Sequence, residues 1–362
     1  MRRIRIALAV LALAAGCAHA QTSVTLYGTV DLPVEHLTNA GGGSLTRMPG
    51  LTGSVPSRLG FRGVEDLGGG LRALFTLEEG ISVDSGTLNQ GGRAFGRQSW
   101  VGLANEWGQL SLGRQYSMLF WSQTDADLLG PNMFGSGSLD NYLPNARVDN
   151  AIAYRGTFGG LSLGATWSPG RDAVNAGPSP AGTNCAGESN TDHQACRQWS
   201  LLAKYDSKDW GVAAAVDNMR GGAGAFAGLT SSSLTDQRTT LDGWVRFSAL
   251  KLGAGLIQRK NEGSATTPHS DLWYAGASYP IGPVLLEGEF FKLDFKDSAN
   301  GAKLWALRST YFLSKRTALY ATAGHIANSG TLALSVSNAA AGGAPNPGGS
   351  QTGIGAGIRH SF

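Results

Sequence analysis

The chain has 362 residues, of which 53 are Gly and 13 Pro, with 15% charged and 42% hydrophobic. Gly stands at about twice its average share without a three-residue period, which excludes collagen, and the apolar content excludes a disordered chain. A formal charge of +3 and a pI of about 8.8 point to a nucleic-acid surface only if the positive residues lie in the folded part of the chain.

Arg2, Arg3 and Arg5 precede an apolar run from Ile6 to Ala18, and the run ends at Ala18-His19-Ala20. A basic start, a short apolar stretch and an A-x-A site predict a signal peptide over residues 1–20, leaving 21–362 as one domain. The stretch is too short to span a bilayer as a helix. A competing cut lies at Leu13-Ala14-Ala15-Gly16-Cys17, a loose lipobox that would leave Cys17 acylated. Of 29 basic residues the leader removes three and no acid, so 26 face 26 acidic residues in a neutral mature chain. Nucleic acid loses its main support as a partner.

Beyond the leader no apolar run approaches the length of a membrane helix, and the repeated signal is period two. Val24, Leu26, Val30, Leu32 and Val34 alternate with Thr25, Tyr27, Thr29, Asp31 and Glu35. Val148, Ile152 and Tyr154 alternate with Arg147, Asp149, Ala151, Ala153 and Arg155, with Asn150 the polar exception. Ile354, Ala356, Ile358 and Phe362 do the same against Gly355, Gly357, Arg359 and Ser361. Each predicts a strand with one apolar face. A water-soluble sandwich would use the same pattern.

The spacing of the breaks discriminates. Short turn signals fall at 66–70, 105–108, 158–160, 207–211, 248–250, 279–283 and 313–316. Between them lie mostly longer Gly/Ser/Asn-rich segments at 37–56, 81–94, 117–145, 169–196, 220–237, 261–270, 296–300 and 327–350. Seven short and eight long connections alternate, which predicts sixteen strands with both termini on the short-turn rim. The fold class is therefore all-β: a transmembrane antiparallel β-barrel. Half of each strand then faces water, in keeping with a mean hydropathy of −0.10. Trp100, Tyr154, Trp273 and Phe362 are expected in interfacial girdles, and the 327–350 segment is expected to be mobile.

The chain resembles the Gram-negative general porins, in particular the trimeric type of Neisseria and Burkholderia relatives. The resemblance covers 21–362 and is strongest in Val24-Thr25-Leu26-Tyr27-Gly28-Thr29-Val30-Asp31 and from Ser57 to Gly68. Ser99-Trp100-Val101-Gly102-Leu103, Leu112-Gly113-Arg114-Gln115-Tyr116 and the ending Gly357-Ile358-Arg359-His360-Ser361-Phe362 carry it further. It implies an outer-membrane homotrimer of sixteen-stranded barrels, with the third long loop folded into the lumen. It also implies that Phe362 ends a sorting signal for the outer-membrane assembly machinery.

By the same resemblance, Arg58, Arg97 and Arg147 match wall positions of the constriction, and Asp127 and Asp125 match acids of the loop. Strand parity separately sets Arg58 opposite Leu59 and Phe61, Arg147 opposite Val148, Ile152 and Tyr154, and Glu78 with Arg72 and Thr76. Asn132 stands where enterobacterial relatives carry a Glu, and Thr29 where they carry a wall Lys. The expected function is passive diffusion of small hydrophilic solutes and ions, weakly anion-selective because three Arg outweigh Asp127 and Glu78. The alternative is a substrate-selective channel with a saturable anion or sugar site, for which Phe120 and Trp121 are candidate stacking surfaces.

Other chemistry finds little support. Cys185 and Cys196 share the fourth long loop of an exported chain and point to one disulfide, with unpaired thiols or a metal site near His193 as alternatives. No H-E-x-x-H or P-loop motif occurs, so neither an enzyme nor a cofactor is expected.

Overall fold

The computed structural model describes residues 23–172 and 185–362. The leader expected over 1–20 lies outside the described residues. Sixteen wall strands form one antiparallel sheet. In chain order they are β1 (Ser23–Ala40), β2 (Arg58–Gly68), β3 (Leu71–Ser82), β4 (Gln98–Asn105), β5 (Gly108–Tyr116) and β6 (Arg147–Phe158). Then come β7 (Leu161–Ser168), β8 (Gln198–Asp206), β9 (Trp210–Arg220), β10 (Thr235–Phe247) and β11 (Leu250–Asn261). The last are β12 (His269–Ile281), β13 (Val284–Phe295), β14 (Gly301–Phe312), β15 (Thr317–Ser329) and β16 (Ser350–Ser361). Two short strands, Gly43–Arg47 and Thr87–Leu88, belong to the long connections. β1 pairs with β16 from Thr29↔Ser361 to Leu37↔Gly353, so the sheet closes and leaves no edge.

The distribution of polarity is inverted. Val101, Leu103, Leu110, Leu112, Leu201, Leu241, Leu307, Ile354 and Ile358 are exposed on the outer face. Thr29, Asp31, Thr76, Glu78, Ser200, Asp217, Arg238, Thr240 and Glu289 are buried inside. Such an outer belt suits hydrocarbon, and a closed barrel pairs its backbone groups without an apolar interior. Among the described residues no helix is long and apolar enough to cross a membrane.

Three expectations from the sequence need correction. Trp100 does not join the girdle. It is paired with the lumen-facing Thr76, and its indole N–H donates to Gln98 Oε1 at 3.2 Å, because Val101 and Leu103 occupy the lipid parity of β4. In β6 a bulge interrupts the alternation where Asn150 takes φ 54°, so Val148 is buried while Ile152 and Tyr154 are exposed. The last long connection is tied down rather than loose. Val336 and Ala339 are fully buried, Ser337 Oγ donates to Glu35 at 2.7 Å, and Leu51 N–H donates to Ala339 O at 2.9 Å.

The third connection leaves β5, forms helix α1 (Met118–Gln123) and crosses the lumen. Leu119, Leu129, Met133, Phe134 and Leu143 make an apolar seam against Ile257, Leu272, Phe291, Leu304 and Ile326 of the wall. The wall opens notches for it. A Cβ at Gly253 would stand 2.2 Å from Ala126 O, and one at Gly353 2.7 Å from the Phe134 ring.

Candidate functional site

The lumen narrows where this loop faces β2 through β6. Between them lies a cavity of about 330 Å³ whose lining includes Arg58, Glu78, Arg97, Asp127, Asn132 and Arg147. Arg58 opens β2, Glu78 lies on the lumen parity of β3, and Arg97 directly precedes β4. The Arg97 Nε–H donates to Glu78 Oε1 at 2.7 Å, and Arg58 Nε stands 3.7 Å from Glu78 Oε2. Tyr27 donates its hydroxyl to the same carboxylate at 3.0 Å.

Arg147 has no carboxylate partner among the described residues. It donates to Pro144 O at 3.0 Å and to the Tyr116 hydroxyl at 3.0 Å, and Arg97 donates to that hydroxyl at 2.8 Å. Tyr116 thus joins two guanidinium groups through one oxygen. The alternation of β5 carries no signal for this role, because it says nothing about which residue from another strand meets Tyr116. Phe120 lies flat on Tyr116, with centroids 3.8 Å apart and 13° between planes, so that ring face is occupied.

The two loop acids separate. Asp127 lines the cavity, but its carboxylate accepts from Gly130 N–H at 2.8 Å and Ser136 Oγ at 2.6 Å. Beside it, Leu129 N–H donates to Glu289 Oε2 on β13 at 2.9 Å, pinning the loop to the far wall. Burial pushes the Asp127 carboxyl above its ordinary pKa, outweighing those donors. Asp125 does not join the arginines. It bonds Lys204 of β8 and lies 3.9 Å from Lys251 of β11, below the loop. Burial opposes its charge, but the bonded ammonium prevails and holds the carboxyl below its usual value.

Arg308 pairs with Glu287 at 2.8 Å and donates to Ser54 O at 3.3 Å, while Arg359 donates to Ser54 Oγ at 3.0 Å. Both therefore sit beside the segment leading to Arg58. Far from this zone, Cys185 and Cys196 form a disulfide with Cα atoms 5.2 Å apart. Phe362 exchanges backbone hydrogen bonds with Gly28 at 3.1 and 3.3 Å, and its ring occupies the space a Cβ at Gly28 would need.

A sequence model of the Gram-negative porins matches residues 7–331. The chain belongs to the Gram-negative porin family. The porin is 34% identical to outer membrane porin protein 32 of Delftia acidovorans over 381 aligned positions, covering all of both chains. An outer membrane porin of Bordetella pertussis is 29% identical, again across all of both. Among solved structures, an anion-selective porin from Comamonas acidovorans superposes with a TM-score of 0.75 at 27% identity, covering 94% of this porin and 100% of that chain. The porin is an outer-membrane β-barrel channel protein.

Proposed function

We propose that this porin is a homotrimeric general diffusion channel for small hydrophilic solutes and ions, weakly anion-selective. The observation that carries the reading is the charge balance of the constriction. Arg58, Arg97 and Arg147 share one cavity with a single ion-paired carboxylate, Glu78. Asp127, the other acid there, is the one whose charge burial disfavours. Positive guanidinium groups on one wall and the loop on the other set up a transverse field. That field orders water, makes passage of apolar solutes costly and raises the local concentration of anions. The anion selectivity of the Comamonas acidovorans protein supports the same sign here. Phe362, locked onto Gly28 at the seam of the barrel, is the residue we assign to the sorting signal read by the assembly machinery. The outer face is assigned to lipid and to the two other copies.

Reversal potentials across a planar bilayer in a KCl gradient test the reading. A modest preference for chloride is expected, reduced by Arg147→Gln; a clear preference for potassium would refute it.

A further inference from the structure

A second polar cavity, of about 540 Å³, opens below the loop toward the short-turn rim. A single lateral row of the lumen face forms its floor. Arg72 of β3 pairs with Ala104, Ala104 with Gln109, Gln109 with Arg155 of β6, and Arg155 with Gly164. Three strand spacings put the two Arg Cα atoms roughly 14 Å apart, with only Ala104 and Gln109 between. Above the row, Trp121 of α1 receives the Arg155 guanidinium 3.8 Å from its ring centroid.

Stacking uses the face of a guanidinium and leaves its N–H edge in the plane, the geometry that receives a carboxylate in bidentate fashion. Neither the Arg155 nor the Arg72 guanidinium has an ion pair or hydrogen bond with another described residue. Lys204, in the same cavity, is already engaged by Asp125 and Asp206. The cavity therefore holds two guanidinium groups without acceptors, one of them oriented by an aromatic ring.

We infer that Arg155, seated on Trp121, and Arg72 form a binding station for carboxylate solutes in the short-turn vestibule, separate from the constriction. The inference rests on the channel reading above. A short dicarboxylate engages both arginines, and a monocarboxylate engages Arg155 alone. An anion thus meets a holding site before or after the narrow zone, and its flux saturates even though the pore itself is passive.

The probe is glutarate, added to either side of channels reconstituted in a planar bilayer, with its neutral diamide as control and acetate for the one-point case. Saturable block by glutarate from the short-turn side is expected, at lower concentration than acetate and without effect of the diamide. Arg155→Gln and Arg72→Gln should each raise the half-blocking concentration about tenfold, the scale of one lost charge-assisted pair. Arg155→Lys keeps the charge without the fork and should fall between the wild type and Arg155→Gln. Equal block of the wild type and Arg155→Gln, block by the diamide, or no saturation in conducting wild-type channels would overturn the station and leave the channel reading intact. Absence of any conductance would instead sink the channel reading and the station together.

Discussion

Among the described residues Glu78 is the one carboxylate ion-paired to the constriction arginines, and its removal separates charge from structure. A unit charge about 8 Å from a passing ion in water is worth about 0.5 kcal/mol. That energy acts with opposite sign on the two ions, so Glu78→Gln should raise the chloride-over-potassium permeability ratio roughly fivefold, measured by reversal potential. It should also destabilise the barrel by about 3 kcal/mol, because buried Arg97 loses the carboxylate it is paired with. At this scale much was legible beforehand: the parity of β2 and β3 sends Arg58 and Glu78 inward, and the family resemblance adds Arg97 and Arg147. Tyr116 was not, since a hydroxyl shared by Arg97 and Arg147 exists only after three strands are assembled. Asp125 matched a family acid in sequence, yet Lys204 on a distant strand draws it away from the arginines.

The third loop is the element that turns a wide barrel into a narrow one, and two acids fix its ends with opposite pH signs. Near its return to β6, Asp140 accepts from Arg238 at 2.7 and 3.1 Å, while Arg238 also lies 3.2 Å from Asp236. Burial opposes the Asp140 charge, but Arg238 and Arg259 override it and hold the carboxyl at about 2. A depressed folded value means that this anchor is fully present above the ordinary carboxylate pKa of about 3.9 and is lost as pH falls through about 2. Asp140→Ala should cost about 3 kcal/mol of anchoring and raise open-channel current noise at every pH above 4. For Asp127 the folded value is raised, so its contribution is present below about 3.9 and is lost as pH rises through the raised value. Current noise should therefore grow as pH rises from 4, and Asp127→Asn should flatten that dependence. An unchanged slope in the variant would assign the effect elsewhere. The sequence marks this loop by length and by family resemblance. Its seat in the Gly253 and Gly353 notches could not be read, because each contact joins residues more than a hundred positions apart.

At the scale of the whole molecule the seam between β1 and β16 decides whether a barrel or an open sheet forms. Phe362 contributes two backbone hydrogen bonds there and covers Gly28 with its ring. Deleting Phe362 should lower the fraction of chains that reach the outer membrane as folded barrels, scored by heat-modifiable electrophoretic mobility. Wild-type assembly of the truncated chain would remove its role as a sorting signal. What the sequence by itself determined was the architecture. Period two sets which face each residue takes, and alternating short and long breaks count the strands and sort the two rims; both are local properties of a chain that must pair every backbone group. Only the tertiary structure decided the chemistry inside. Which arginine keeps a carboxylate, which acid is diverted, and how the last loop is held inward depend on side chains that closure brings together from opposite walls. Burial then alters the energy of their charges in ways no neighbour in sequence can signal.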